Sequence, residues 1–351
     1  MWPDGFTTRY RIAKDTLILD LGTRMRVLSS APRGGGLRTT RYIVNHQVPS
    51  NPDVYKRQVR GMGVVISWFD DQVRTFCRSD QSLQIAGACL ALGLPAAVYA
   101  AATWLIAQAA AFSPLLGQLV GIGLAYTTLA GRDLFDHVQA VSRELQQGNL
   151  AGAREAVARI VGRDSATLEE PEIVRATVET IAESTADGII APLVYLSLGG
   201  APLALAYKAV NTLDSMVGHH DERYEHFGWA SARLDDVMNW VPARLTGGFI
   251  ALASGLATAQ WHRVQDSWYI LHRDGDKHPS PNSGMPEAAM AGGLGVQLGG
   301  RNYYDGVAHE GELIGDAGTA LTSGHIDQAT GIVVVAAGLG LFFALLSLWV
   351  S

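Results

Sequence analysis

Charge is scarce in this 351-residue chain: Asp, Glu, Lys and Arg make up 17% of it, and neither they nor histidine occur from Gln81 to Gly131. A run that long excludes an ordinary water-facing segment and suffices for two membrane spans of about 20 residues. Their tight turn falls near "AAAFSPLLGQ". A basic excess is also missing, and a net charge of −6 leaves no electrostatic footprint for nucleic acid. Cysteine is nearly absent. Cys77 and Cys89 lack partners at metal-ligand spacing and one pair makes no disulfide framework, so both read as packing thiols. The opening "MWPDGFTTRYRIAKD" lacks the apolar stretch of a signal peptide.

What is present reads as an all-α, polytopic helical membrane protein preceded by a short, fragmentary α/β-like piece. Candidate spans cover 83–110, 114–131, 188–207, 245–261 and 329–350. The third contains "GGAP" at 199–202, which breaks a helix and makes the segment broken or re-entrant. Gly and Pro in the first are compatible with a membrane helix, and Trp349 suits the interface at the end of the last. Between the second and third spans, "AREAVARIVGRDSATLEEPEIVRATVETIAE" has helical periodicity with cap chemistry at "DSATLEEPEIV", a water-exposed helical pair. Arg60, Arg74 and Arg78 precede the first span and the following turn is uncharged, so the N-terminal side and the 132–187 loop are expected in the cytoplasm. If every later candidate spans, residues 208–244 lie outside; if 188–207 only dips in, they stay inside.

That 208–244 segment concentrates chemistry between two uncharged flanks. Lys208, Asn211 and Asp214 share one helical face, as do Arg233, Asp236 and Asn239, with Asp235 adjacent and Arg244 following. Glu183 and Asp187 lie four apart just before the apolar run, and the Pro- and Gly-punctuated loop at 278–295 carries His278, Asn282, Ser283 and Glu287. Carboxylates and amides supply the oxygens Mg²⁺ takes, and Lys and Arg neutralise phosphoryl charge, so the mixture suits ATP with Mg²⁺. Asp214, Asp235 and Asp236 are the candidate metal ligands. A solvated, self-paired helix face is the plainer alternative for any one of these residues. His219, His220 and His226 read as a polar turn rather than a zinc site. "GGLGVQLGG" lacks the Lys-Ser/Thr ending of a phosphate loop.

The stretch from "ESTADGIIAPLVYLSLGGAPLALAYKAVNTLDSMVGHHDERYEHFGWASARLDDVMNWVPARLT" to "SPNSGMPEAAMAGGLGVQLGG" closely resembles the adenosylcobinamide-phosphate synthase family of cobalamin biosynthesis, over roughly residues 59–351. The resemblance implies a multi-pass protein of the cell (inner) membrane that joins adenosylcobyric acid to (R)-1-aminopropan-2-ol phosphate, forming an amide with ATP hydrolysis. It also implies contact with membrane lipid, with other cobalamin-pathway enzymes as candidate partners. By residue chemistry, Glu183, Lys208, Asp214, Asp235 and Asp236 are the candidate catalytic set. Asn211, Arg233, Arg244, Asn282, Ser283 and Glu287 are the candidate substrate-binding set. Two other classes stay open: a membrane corrinoid transporter or binding component, and a non-catalytic scaffold for corrinoid enzymes.

Two departures stand out. Ser184 occupies a position where the family commonly has Asn. The apolar first helix of the family is replaced by "PDVYKRQ", and "SSAPRGGGLRTTRYIVNHQVPSN" before it resembles the start of adenosylcobinamide amidohydrolase. Residues 1–58 are accordingly expected to be an amidohydrolase-like fragment and junction without an independent fold, the product of a fused reading of neighbouring cobalamin genes.

Overall fold

The computed structural model describes residues 9–13, 16–20, 25–29, 39–40, 54–77, 79–218, 223–304 and 306–350, in two separate compact units, 1–53 and 54–351. In the first unit, β1 (Arg9–Ala13), β2 (Thr16–Asp20), β3 (Met25–Ser29) and β4 (Thr39–Thr40) form an antiparallel meander in chain order. Arg9 stands opposite Asp20 and Thr16 opposite both Ala13 and Ser29. Alternating stretches such as "RYRIA" and "TLILD" have the two-residue period of strands. A sheet therefore occupies residues for which the sequence suggests no fold. The division falls at 53/54 rather than 58/59, because α1 (Val54–Phe76) starts within "DVYKRQ".

The second unit is helical. The helices α2 (Asp80–Phe112) and α3 (Pro114–Tyr126) form a hairpin turning at Ser113. Ser79 caps α2 through a reciprocal bond with Ser82, and the hairpin arms close so tightly that a Cβ on Gly117 would come 2.6 Å from Ala110 Cβ. Among the described residues, four helical stretches are long and apolar enough to cross a membrane: Asp80–Phe112, Pro114–Gln146, Glu170–Val217 and Gly324–Trp349. The chain is a polytopic helical membrane protein. The polar helices α4 (Gly131–Gln146), α5 (Leu150–Val157) and α6 (Glu170–Thr185) follow the hairpin, and Glu169 and Glu172 cap α6 as the "EEPE" stretch suggests. The helix α6 is more than a water-facing partner of α5: Ile173, Val174, Val178, Ile181 and Ala182 are buried in the main core.

A π-helical turn, Ala186–Ile190, joins α6 to α7 (Ala191–Val217). Within α7 the backbone leaves helical geometry at Gly199 (φ −153°, ψ 20°) and Gly200 (φ 66°, ψ −165°). The second conformation is open in practice to glycine alone. The chain reverses there. Tyr195 and Tyr207 stack with ring centroids 4.8 Å apart, and Asn211 Nδ2 lies 3.4 Å from Asp187 Oδ2, whereas on a straight helix a dozen residues would separate the first pair by about 18 Å. The third apolar stretch is therefore a re-entrant hairpin with Leu198, Gly199 and Gly200 exposed at its tip, and length alone overstates it as a crossing.

The remaining helices are α8 (Trp229–Thr258), α9 (Trp261–Asp274), α10 (Gly284–Leu294) and α11 (Gly324–Val350). Between α10 and α11, β5 (Leu298–Gly299) pairs with β8 (Leu313–Ile314), and β6 (Asn302–Tyr304) with β7 (Val307–His309). The 245–261 stretch is not among the four long apolar ones. It is the C-terminal half of α8, where Gly247 meets Leu271, Gly255 meets Val264 and Phe249 meets Phe343, so α9 and α11 cover it. "GGLGVQLGG" closes α10 with Gly295 at φ 70°, a left-handed helix stop followed by β5.

Candidate active site at the base of the re-entrant hairpin

The hairpin fixes the site because its two arms bring distant polar residues to one level. On the incoming arm stands Asp187, inside the π-helical turn, a distortion that recurs at functional sites because it re-aims side chains. On the returning arm stand Tyr207, Lys208, Asn211 and Asp214. Lys208 is buried, and its Nζ donates to Asn211 Oδ1 at 3.0 Å. Asn211 in turn donates to Asp187, which lies within electrostatic reach of Asp235, Glu183, Lys208 and Asp214.

The first turns of α8 supply the opposite wall. Asn239, fully buried, accepts from the Tyr207 hydroxyl at 2.8 Å and donates to Asp235 Oδ2 at 2.9 Å. Asp236 pairs with Arg233 at 3.5 Å, and its backbone carbonyl accepts from Asn282 Nδ2 at 2.8 Å. Burial, then the charge of Asp214 and more weakly that of Asp236, pushes the Asp235 carboxyl up to about 7, while the bond from Asn239 acts the other way. Among the described residues, Ser231 Oγ, Asp235 Oδ1 and Asn282 Oδ1 are buried and find no hydrogen-bond partner. Three orphaned polar atoms gathered on the α8 wall and the loop against it are unusual in a packed interior, where buried polar groups are nearly always satisfied.

From this cluster the site continues through Glu183, whose Oε1 accepts from Ser283 Oγ at 2.8 Å, towards Glu287 on α10. Of the residues the sequence selects, Glu183, Lys208, Asn211, Asp214, Arg233, Asp235, Asp236, Asn282 and Ser283 are linked by contacts or charge. Arg244 is not joined to them: its guanidinium stacks 4.1 Å over Trp240 and donates to the Trp240 carbonyl. Among the described residues no three acidic, cysteine or histidine side chains gather closely enough to cage a metal, so Asp214, Asp235 and Asp236 do not form a three-carboxylate set. His226 lies 3.6 Å from Asp80 at the start of α2, and His219 and His220 fall outside the described residues. Sequence reasoning passes over Tyr207 and leaves Asp187 and Asn239 out of its site. A glycine pair followed by alanine-proline was the available signal, since a chain reversal at 199–200 pairs 187 with 211 and 195 with 207.

Polar side chains from both arms of the hairpin, from α8 and from the loop before α10 converge at one level in a polytopic helical protein, the arrangement of a candidate active site. Comparison with known proteins specifies it further. The family described as CobD/Cbib protein matches residues 46–333, and the chain belongs to that family, whose role is cobalamin biosynthesis. A second family, adenosylcobinamide amidohydrolase, matches residues 3–79, which runs past the fragment and junction expected over residues 1–58. Cobalamin biosynthesis protein CobD of Geobacter metallireducens is 52% identical over 66% of this chain and 72% of its own length. The protein of the same name from Citrobacter koseri is 44% identical over 84% and 91%, and cobalamin biosynthesis protein CbiB of Salmonella typhimurium 42% identical over 83% and 90%. No solved structure matches the chain.

Proposed function

We propose that this biosynthetic enzyme is an ATP-dependent amide ligase that couples the free carboxylate of adenosylcobyric acid to (R)-1-aminopropan-2-ol phosphate, giving adenosylcobinamide phosphate at the inner membrane. The observation that carries the reading is the convergence of one buried cation, several carboxylates and orphaned amide and carboxylate oxygens from four separate chain segments. A carboxylate does not condense with an amine at neutral pH. It needs a better leaving group, formed when its oxygen attacks the terminal phosphorus of ATP and ADP departs; the amine nitrogen then attacks the carbonyl carbon, phosphate leaves, and the ammonium proton passes to a base.

The residues suit those demands. Lys208, held by Asn211 in low-dielectric surroundings, offers a fixed positive charge to the transferring phosphoryl group, and Arg233 offers a second at the rim. Asp235 Oδ1 and Asn282 Oδ1 are buried acceptors that fit a cation's needs, with Asp214 as neighbouring charge, and Mg²⁺ usually takes one or two protein oxygens beside phosphates and water. Bound there, Mg²⁺ would neutralise phosphate charge. Asp187, which accepts from Asn211 beside Lys208, is placed to take the proton.

The reading is tested with the full chain in lipid nanodiscs, ATP, Mg²⁺ and both substrates, following amide product and nucleotide together. Nucleotide is expected to be consumed only when acid and amine are both present. Asp236→Ala is expected to abolish product while the protein still inserts. Corrinoid binding or movement without amide formation would favour a transporter, and product at the unaltered rate from Asp236→Ala would remove the acidic pair from the mechanism.

A further inference from the structure

A cavity of about 390 Å³ lies beside the site, between α6, α10 and the loop around β5–β8, lined by Glu179, Glu183, Glu287, His278, Arg163 and Tyr304 among others. That volume is at the small end of ligand pockets, roughly 300–1,000 Å³, and well beyond a bare ion. Three of the carboxylates that line it differ sharply. Glu179 is fully engaged: it pairs with Arg163 and Arg175 and accepts the Gly299 amide at 2.8 Å. Glu183 accepts from Ser283. Glu287 is 5% exposed and has no hydrogen-bond or ion-pair partner among the described residues.

An ionised carboxylate in that position is costly unless a cation meets it. Burial, with the charges of Glu179 and Glu183 beside it, holds the Glu287 carboxyl well above the usual range against the opposing pull of Arg163 and Arg175. Among the described residues no cation comes within ion-pair distance of Glu287; Arg163 and Arg175 act on it only from where they pair with Glu179. The vacancy in charge balance is therefore local to one oxygen pair facing a cavity. A metal would need further ligands close by, and among the described residues no such group forms.

We infer that this cavity binds a small molecule through its primary ammonium group, with Glu287 as the anionic partner. Under the ligase reading, on which the identity of the ligand rests, the occupant is the amine substrate. Glu183, shared between the cavity and the hairpin cluster through Ser283, then marks the passage by which its nitrogen reaches the activated carboxyl.

The test uses the full chain in nanodiscs without nucleotide, titrated calorimetrically with (R)-1-aminopropan-2-ol phosphate and with propan-2-yl phosphate, which lacks only the amine. The aminated ligand is expected to bind at least tenfold more tightly. Glu287→Gln is expected to erase that difference while leaving the des-amino ligand unaffected. Equal affinity of the two ligands on the unaltered chain overturns the inference whether or not the variant folds. So does Glu287→Gln binding the amine as tightly as its parent, or competitive displacement of the amine by Mg²⁺ alone. Amine discrimination that persists while no amide forms on adding ATP and corrinoid would overturn the ligase reading and leave the ammonium pocket standing.

Discussion

Two aspartates in the same unit, one enclosed and one half-buried, have opposite fates. Asp274, at the end of α9, is wholly enclosed and fully met: both its oxygens take Arg273 at 2.8 and 2.7 Å, Lys277 Nζ lies 2.7 Å away, and the Gly315 amide donates at 2.7 Å. The Arg273 bonds above all hold its carboxyl below the ordinary range. Asp235, by contrast, receives a bond from Asn239 on one oxygen, has no charged donor, faces like charges and keeps its other oxygen without a hydrogen-bond partner among the described residues. The first arrangement ties the β8 loop to α9 and leaves nothing over for a ligand. The second leaves a demand that only a proton, a cation or a substrate donor can meet. Incomplete satisfaction separates chemistry from architecture here, more clearly than burial or charge does.

The sharpest way to break this contrast is to remove each acid. Asp274→Ala strips two cations and a buried amide of their acceptor, and is expected to cost about 3 kcal/mol, read as a lower unfolding midpoint. Its contribution is present above pH 3.8, the unfolded value, and is lost as the pH falls from there towards the depressed folded value. Gly200→Ala forces a side chain into a glycine conformation and is expected to cost roughly 1–3 kcal/mol and to lower product formation by misaligning the hairpin arms. Asp235→Asn should go the other way. Because the folded form holds its proton up to about pH 7 and the unfolded form releases it at 3.8, stability is complete below 3.8 and is lost as pH rises through 7. The variant escapes that loss and is expected to be more stable than its parent at pH 8, by roughly 1–2 kcal/mol, yet inactive. Destabilisation at pH 8 would place Asp235 with Asp274. The smallest effect is expected from Arg244→Ala: under twofold in product formation, with the loss of about 0.5–1 kcal/mol of stacking on Trp240. A large kinetic loss would restore the phosphate role that its sequence position suggests.

Much of the membrane architecture is legible because hydropathy needs no tertiary knowledge. The uncharged run to Gly131 and the last apolar helix appear where expected, and "GGAP" marks the break in α7. The direction of the chain after that break was not legible, since local rules announce a kink but not its angle. Tyr207 and Asn239 were lost for the same reason: each looks like ordinary helix content until the returning arm sets one against the other. The strands at 9–13, 16–20 and 25–29 were not read from the sequence, and their pairing depends on neighbours. Arg244 illustrates the converse. Helical spacing brought it to notice, and the adjacent indole captured it.

A segment that enters and returns does not change which aqueous phase the chain inhabits. The loops flanking the Gly199–Gly200 reversal then share one compartment, and cysteines introduced at 165 and at 225 are expected to be labelled by an impermeant thiol reagent together or not at all. Under the proposed ligase reading, the same parity would let every substrate reach the polar cluster from a single side, without crossing the bilayer.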